Sequence, residues 1–214
     1  MESRNQKPLN TGFITAKQKE GSGINLGIVL ASKSPRRFEL LKMTDIGEFK
    51  VIADTADEVI VPGLAPDEQV CGISLQKAQN VARLCNKDDI IIAADTIVYY
   101  NGRPYGKPDS REDAERMQGE LSGNVHSVYT GVTVLKNDVH ISGSEKTDVW
   151  FRGMTDGEIR KYVLTGEPMD KAGSYAAQGG AAIFIERIEG DFFNVVGLPL
   201  CRLSIILKEF GVAL

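Results

Sequence analysis

The chain has 214 residues, enough for one domain with a sizeable core or for two small lobes around a cleft. Its 42% apolar and 25% charged residues are typical of a globular protein and exclude collagen-like and disordered chains. A net charge of −4 argues against a general nucleic-acid or membrane binder, because both need an excess of basic surface. We therefore expect neither nucleic acid nor a membrane as a partner.

The N-terminal segment differs in composition from the rest of the chain. Residues 1–24 are polar and lack the apolar core of a secretory signal, so we expect a flexible extension before a single domain over residues 25–214. Cys71, Cys85 and Cys201 lie far apart without CxxC spacing. They are typical of reduced thiols, which predicts a cytoplasmic protein.

The first strand and helix meet at an unusually basic turn. The apolar run Leu26–Ala31 predicts a buried strand, and Ser34 followed by Pro35 predicts a helix start. Arg36 and Arg37 follow in the first turn, where cations oppose the helix macrodipole and free N–H groups favour an anion. A phosphate would satisfy both; a solvated basic helix start is the alternative. The candidate ligands are Ser32, Lys33, Ser34, Arg36 and Arg37.

Glu39 follows Arg36 by nearly one helical turn and is able to share its face. A carboxylate beside a polyphosphate is a plausible Mg²⁺ ligand. A simple Arg–Glu pair on the helix surface is the alternative.

The next unit combines an acidic loop with a long helix. Phe49–Ala53 alternates as a strand, acidic residues including Glu58 follow, and Pro66 opens a helix to about Cys85. Lys77 lies well inside that helix among small and apolar residues. An exposed lysine on the polar face is the ordinary interpretation.

Asp95 interrupts the most apolar segment of the chain. Residues 88–100 predict a strand buried on both faces, and Asn101-Gly102 predicts a hairpin turn. A buried carboxylate is costly unless it is paired, hydrogen-bonded or bound to metal. Asp95 is therefore the best single candidate for catalysis or metal binding, with a structural turn-capping role as the alternative.

The second half continues the mixed pattern. We expect a helix from Ser110 to Leu121, a hairpin of strands His126–Leu135 and Val139–Phe151, and a helix over Thr155–Leu164. A strand over Ala182–Ile188 and a helix from Pro199 complete the chain. The polar loop between residues 167 and 180 is expected to carry functional residues, and His126 is expected to be a structural histidine. The fold class is α/β with a mixed sheet.

Several short stretches together resemble the Maf family, also called septum formation proteins or Maf-like nucleoside triphosphate pyrophosphatases. The resemblance spans about residues 26–210 in the family's order. The stretches are SKSPRRFELL (32–41), SLQKA (74–78), AADT (93–96), GKP (106–108), HSVYTGV (126–132), EPMDKAGSYAAQG (167–179) and NVVGLPL (194–200).

The resemblance implies a fold like that of inosine triphosphate pyrophosphatase, with a bent mixed sheet flanked by helices and two lobes around a cleft. It also implies hydrolysis of a nucleoside triphosphate between the α and β phosphates, with Mg²⁺ or Mn²⁺ as cofactor. Family members are often dimers and are associated with cell-division arrest. A homodimer is therefore expected.

The resemblance also assigns roles by position. Asp95 matches the family's proton acceptor, and the implied metal ligands are Glu39, Glu58 and Asp95. Lys77 and Lys107 match lysines that contact phosphates and act with Asp95. The implied substrate-binding residues are Ser32, Lys33, Ser34, Arg36, Arg37, Thr96, Lys171 and Gln178. Ala176-Ala177 replaces the more usual Gly-Ile before Gln178.

The Lys171–Gln178 pair resembles the branch that acts on dTTP and UTP. Three alternatives stay open: the same chemistry on 7-methyl-GTP or another modified nucleotide, a nucleotide sensor of division with little hydrolysis, and a nucleic-acid-binding regulator. The negative net charge counts against the last of these.

Overall fold

The computed structural model describes residues 27–56 and 58–214, so the extension predicted over residues 1–24 lies outside the described residues. The strands are β1 (Ile28–Ala31), β2 (Phe49–Val51), β3 (Ile90–Tyr100), β4 (Arg103–Tyr105), β5 (Val125–Lys136), β6 (Val139–Phe151) and β7 (Ile185–Glu189). The α-helices are α1 (Pro35–Lys42), α2 (Pro66–Ala82), α3 (Arg111–Leu121), α4 (Asp156–Leu164), α5 (Phe192–Val196) and α6 (Leu200–Glu209). Short 3₁₀-helices cover Glu167–Asp170, Ala172–Ser174 and Gly180–Phe184.

All strands belong to one seven-stranded sheet of order β2-β1-β3-β5-β6-β7, with β4 paired to β3. β1 runs parallel to both β2 and β3, whereas β3, β5, β6 and β7 pair antiparallel. The sheet is therefore mixed, and helices pack on both of its faces. The expected mixed α/β fold is confirmed.

Side-chain alternation along β1 and β3 explains the two covered faces. Leu30 and Ile92 point into a cluster with residues of α1 and α6, while Val29 and Ile91 point into a cluster with α2. Both faces of these strands are thus buried, as their continuous apolar sequences predict.

β3 also joins two separate apolar clusters along its length. Ile90 and Ala94 belong to the cluster around α1 and α6, and Val98 belongs to the cluster that contains Leu121 and Phe151. The strand carries its polar residues, Asp95 and Thr96, at the crossing between the clusters. A polar site is thus placed on a strand that is anchored in two apolar clusters.

Gly131 allows α2 to pack closely against the sheet. A β-carbon at this position of β5 would lie 2.4 Å from the carbonyl carbon and oxygen of Val70 and 2.7 Å from the amide nitrogen of Cys71. These are backbone atoms of α2, so no side-chain adjustment relieves the overlap. The close approach brings the same helix, and Lys77 on it, over β3.

Most predicted elements are confirmed, and several details differ. β2 ends at Val51 and α2 at Ala82, where Ala53 and about Cys85 are the predicted ends. The strand expected over Ala182–Ile188 begins only at Ile185, because residues 180–184 form a 3₁₀-helix. The helix α5 was not predicted; Asp191 caps it by accepting a hydrogen bond from the Phe193 amide, and Gly197 ends it at φ 118°. No described helix is long and apolar enough to cross a membrane.

Gly131 on β5 and Gly72 on α2, the two elements that pack together, give opposite predictions for substitution by alanine. Gly131→Ala should lower the free energy of unfolding by about 1–3 kcal/mol, because overpacking forces the backbones apart. Gly72, exposed inside α2 with open space around it, is the matched control. Gly72→Ala should raise that free energy by about 0.5–1 kcal/mol through helix propensity. Urea unfolding of both variants checks this, and an unaffected Gly131→Ala would refute the close approach.

Candidate active site

A cleft of about 740 Å³ opens where β1 and β3 meet the polar loops. Every candidate substrate-binding or catalytic residue from the sequence lines it, apart from Glu39. Those residues are Ser32, Lys33, Ser34, Arg36, Arg37, Glu58, Lys77, Asp95, Thr96, Lys107, Lys171 and Gln178. Glu39 is exposed on α1 and does not line the cleft. The fold thus brings together segments separated by more than a hundred residues.

The basic turn after β1 has the predicted helix start. Ser34 occupies the N-cap position, its Oγ accepts a hydrogen bond from the Arg37 amide at 3.5 Å, and Pro35 begins α1. The Ser34 amide in turn donates to Ser32 Oγ at 3.1 Å. These local bonds fix the turn, and the cationic side chains of Lys33 and Arg36 extend from it into the cleft.

Arg37 is held rigidly from two sides. Its Nε donates to the carbonyl oxygen of Gly197 at 2.7 Å, and its Nη2 donates to Thr96 Oγ1 at 3.0 Å. Burial lowers the pKa of Arg37, an effect that the nearby Asp95 carboxylate opposes. The guanidinium is therefore a fixed cation in the cleft wall.

The Thr96 hydroxyl belongs to a directed chain of hydrogen bonds. Thr130 Oγ1 donates its one proton to the carbonyl oxygen of Asn194 at 2.9 Å. Thr130 must then accept from Thr96 Oγ1, which is 2.9 Å away. Thr96 accepts a hydrogen bond from Arg37 and donates its own proton to Thr130. It therefore offers an incoming ligand only an acceptor lone pair.

Lys77 forms the centre of the site's electrostatics. Its Nζ lies 2.6 Å from Asp95 Oδ1 and 2.7 Å from Glu58 Oε1. The side chains of Lys77 and Asp95 are only 15% and 11% exposed, while that of Glu58 is 50% exposed. The interpretation of Lys77 as an exposed lysine is therefore wrong, and the ammonium explains how Asp95 is tolerated in a core strand.

The same pair of carboxylates suits a divalent cation. Asp95 and Glu58 already converge on one positive group, and carboxylate oxygens are the ligands that Mg²⁺ and Mn²⁺ prefer. Among residues 27–56 and 58–214, no group of three or more His, Cys, Asp or Glu side chains is arranged to hold a metal. A cation bound by two carboxylates and substrate phosphates fits this set.

The loop of residues 167–180 forms the opposite wall. Lys171 Nζ donates to the carbonyl oxygen of Glu167 at 2.6 Å and to Asp170 Oδ1 at 2.5 Å. Asp170 Oδ2 also lies 3.8 Å from Arg36 Nη1, so an ion pair crosses from this loop to α1. The loop is half-helical, with turns of 3₁₀-helix where the sequence predicts an irregular loop.

Sequence reasoning missed two acids of the cleft. Asp170 pairs with Arg36, and Asp54 accepts hydrogen bonds from the Ala56 amide at 3.0 Å and from Asn80 Nδ2 at 3.2 Å. Asp54 thereby fastens the loop that carries Glu58 to α2. The only sequence signal was their presence in polar loops, because their partners lie far away in the chain.

His126 is buried behind the loop and outside the cleft lining. Its Nε2 lies 2.8 Å from the hydroxyl of Tyr175, a residue of the cleft wall. Burial lowers the pKa of His126 to about 4, and Asp148 opposes this shift. His126 is thus a neutral structural histidine at pH 7, as predicted.

The arrangement offers many cations, a paired acid and apolar walls within one cleft. The apolar part of the lining comprises Val98, Val128, Ala172, Ala176, Ala177, Val195 and Val196. Such a cleft is able to bind a polyanion that carries a flat, partly apolar group, and to orient water beside Asp95.

Comparisons with known proteins agree with this chemistry. A family model described as Maf-like protein matches residues 27–210. The chain is 52% identical to a dTTP/UTP pyrophosphatase of Methanosarcina mazei, over 87% of this chain and 95% of that one. It is 44% identical to a dTTP/UTP pyrophosphatase of Bacillus anthracis, over 86% of this chain and 96% of that one. The solved structure of a HAM1 protein from Coxiella burnetii is 18% identical in sequence, with a TM-score of 0.47, over 86% of this chain and 99% of that one.

The lowered pKa of His126 predicts acid sensitivity. Between pH 6.5 and 4 the unfolded chain protonates this histidine and the folded chain does not, so the free energy of unfolding falls as pH falls. The loss is up to about 3 kcal/mol. Urea unfolding at pH 7 and pH 4.5 should show a loss smaller by about 2 kcal/mol in His126→Phe. His140→Gln, at an exposed histidine, is the control; equal losses in His126→Phe and wild type would contradict the assignment.

Proposed function

The chain belongs to the Maf-like protein family, and from that premise we propose that it hydrolyses dTTP and UTP to the monophosphate and pyrophosphate. The observation that carries this proposal is the Asp95–Lys77–Glu58 group, set in a cleft lined by further cations. Triphosphate hydrolysis needs neutralised charge, an in-line water and a group to orient that water. The cleft contains side chains suited to each task.

The cations of the cleft would bind the triphosphate. Lys33 and Arg36 would contact one part of the chain of phosphates, and Lys77 and Lys107 another. Arg37 would act as a fixed donor, since Gly197 and Thr96 already set its direction. Binding would break the weak Arg36–Asp170 pair at 3.8 Å and free Arg36 for phosphate.

Asp95 and Glu58 would hold the divalent cation, Mg²⁺ or Mn²⁺. When bound, it supplies charge neutralisation at the phosphates and lowers the pKa of a coordinated water. Glu39 is left out of this proposal because it lies on the exposed side of α1. Lys77 would turn from the carboxylates towards the phosphates as the cation enters.

Asp95 would also orient the attacking water and accept its proton. Its placement on β3 between two apolar clusters and its ion pair with Lys77 hold the carboxylate in one position. Both the base and the metal-ligand roles require the carboxylate rather than an amide.

The selectivity for thymine and uracil would come from Thr96, Lys171 and Gln178. The Gln178 amide has both a donor and an acceptor with which to pair a pyrimidine edge. The Thr96 hydroxyl offers only an acceptor, because its proton is spent on Thr130. An acceptor suits the N3–H of thymine and uracil, whereas cytosine has no proton at N3.

We further propose a cytoplasmic homodimer without nucleic-acid or membrane partners, as the family resemblance implies. The described thiols Cys71, Cys85 and Cys201 are free, which supports a reducing compartment.

The first test is pyrophosphate release with Mg²⁺ from dTTP, UTP, CTP, ITP, 7-methyl-GTP and the standard purine nucleotides. We expect preference for dTTP and UTP, and a loss of about 10²- to 10⁴-fold in Asp95→Asn without loss of folding. Asp148→Asn removes another partly buried, lysine-paired carboxylate outside the cleft and serves as the control. Near-normal turnover in Asp95→Asn would refute the role of Asp95. Preference for 7-methyl-GTP would overturn the base assignment only, and binding without release would favour a sensor.

A second prediction concerns the place of Lys77. In Lys77→Met the two carboxylates lose their shared ammonium, so Mn²⁺ binding measured by electron paramagnetic resonance without nucleotide should tighten about tenfold. Lys107→Met is the control, because Lys107 lines the same cleft and pairs with neither carboxylate. Unchanged or weaker Mn²⁺ binding in Lys77→Met would show that the cation binds elsewhere.

A further inference from the structure

We propose that His126 and Tyr175 form a positioning pair that holds residues 171–178 in one conformation and thereby sets which base the cleft accepts. Neither side chain is assigned to bind the base. The inference rests on the proposed function in one respect, which is that Lys171 and Gln178 face the nucleotide. Tyr175 lies between these two residues in the chain and belongs to the same cleft wall.

The backbone of this loop takes an unfavourable course that needs support. Gly173 and Ser174 are both left-handed, at φ 67° and 63°, and Ser174 adopts this conformation although it carries a side chain. The fully buried Gln118 of α3 donates from Nε2 to the carbonyl oxygens of Gly173 at 3.2 Å and Ser174 at 2.7 Å. The Gly173 amide donates to the carbonyl oxygen of Gly106 at 3.0 Å. This strained turn directs the next residue, Tyr175, into the protein.

The Tyr175 ring ends in a tight aromatic cluster. Its centroid lies 5.3 Å from that of His126 and 4.9 Å from that of Phe151, and the latter two are 5.0 Å apart. His126 is 2% exposed and Tyr175 6% exposed. The hydrogen bond between them is therefore shielded from water, which makes it costly to break.

The two groups have no alternative partners for this bond. His126 Nδ1 is buried without a partner among the residues that the structure describes. The Tyr175 hydroxyl likewise has His126 Nε2 as its one hydrogen-bond partner among the described residues, so each group depends on the other whichever of them donates. Only one placement of Tyr175 makes this bond, so the pair selects a single register for the loop.

Packing alone is a poor substitute for this anchor. Ala176 and Ala177, the next residues, have only a methyl group with which to fix the backbone that leads to Gln178. The Ala176 amide donates to the Tyr162 hydroxyl at 3.1 Å, which secures the backbone at one point. The side chain of Tyr175 supplies the second point, and two points are needed to define an orientation.

The experiment compares His126→Phe, Tyr175→Phe and the double variant with wild type. Calorimetry gives the affinities for the non-hydrolysable α,β-methylene analogues of dTTP and GTP with Mg²⁺, and thermal unfolding gives the stability. Each single variant leaves one buried polar group unpaired and should lower both the melting temperature and the dTTP-over-GTP affinity ratio. We expect the ratio to fall about fivefold or more.

The double variant separates positioning from stability. It removes both polar groups, so most of the melting temperature should return while the affinity ratio stays low. Tyr105→Phe removes a buried hydroxyl outside the cleft, which is bonded to Glu120 and Arg103, and should lower stability with an unchanged ratio. Gln178→Ala provides the reference for lost selectivity.

Two results would overturn the inference: single variants with the wild-type ratio, or a double variant in which ratio and stability return together. A wild-type protein without preference between the analogues would overturn it as well. Failure of the proposed hydrolysis is a separate result, since it would appear as absent pyrophosphate release from wild type while the binding ratios still test the pair.

Discussion

The Lys77 ammonium between Asp95 and Glu58 is the interaction on which the site depends. A carboxylate in the middle of a core strand is unfavourable by several kcal/mol unless a partner compensates its charge. That partner comes from α2, and α2 reaches β3 only because Gly131 lets the helix backbone lie against β5. A packing detail of the scaffold therefore determines the electrostatics of the cleft, and the loop fastened by Asp54 brings the second acid to the same cation.

The opposite side of the cleft follows the same logic with a different cation. Arg37 leaves α1, accepts its orientation from the Gly197 carbonyl and Thr96, and so ties the first helix to the turn between α5 and α6. Gly197 adopts φ 118°, and a β-carbon there would lie 3.3 Å from Thr96 Oγ1 and 3.5 Å from Arg37 Nε. The end of helix α5, which the sequence does not predict, thus places the Gly197 carbonyl beside the Arg37 guanidinium.

Features that depend on residues close together in the chain are predictable from the sequence, whereas features that depend on distant residues are not. Ser34 with Pro35, Asn101 with Gly102 and the capping box at Thr155 act within four residues, so their elements were predictable. Asp95, the partner of Lys77, lies 18 residues away in the chain, so the sequence pattern instead predicts an exposed lysine. Glu39 was placed beside Arg36 by helical periodicity, which does not specify which side of α1 faces the cleft. The family resemblance supplied Glu58, Lys107 and Gln178, for which local patterns give no signal.

The loop of residues 171–178 shows why such a site resists local reasoning. Its two alanines, Ala176 and Ala177, stand where the family more often has Gly-Ile, and this substitution taken alone would suggest an altered base pocket. Both alanines are buried but small, and the course of the loop is set by hydrogen bonds with Gln118, His126 and Tyr162, which belong to α3, β5 and α4. The surrounding elements thus impose the conformation of the loop through buried hydrogen bonds. If Lys171 and Gln178 read the base as proposed, the determinants of selectivity include side chains that never touch the nucleotide.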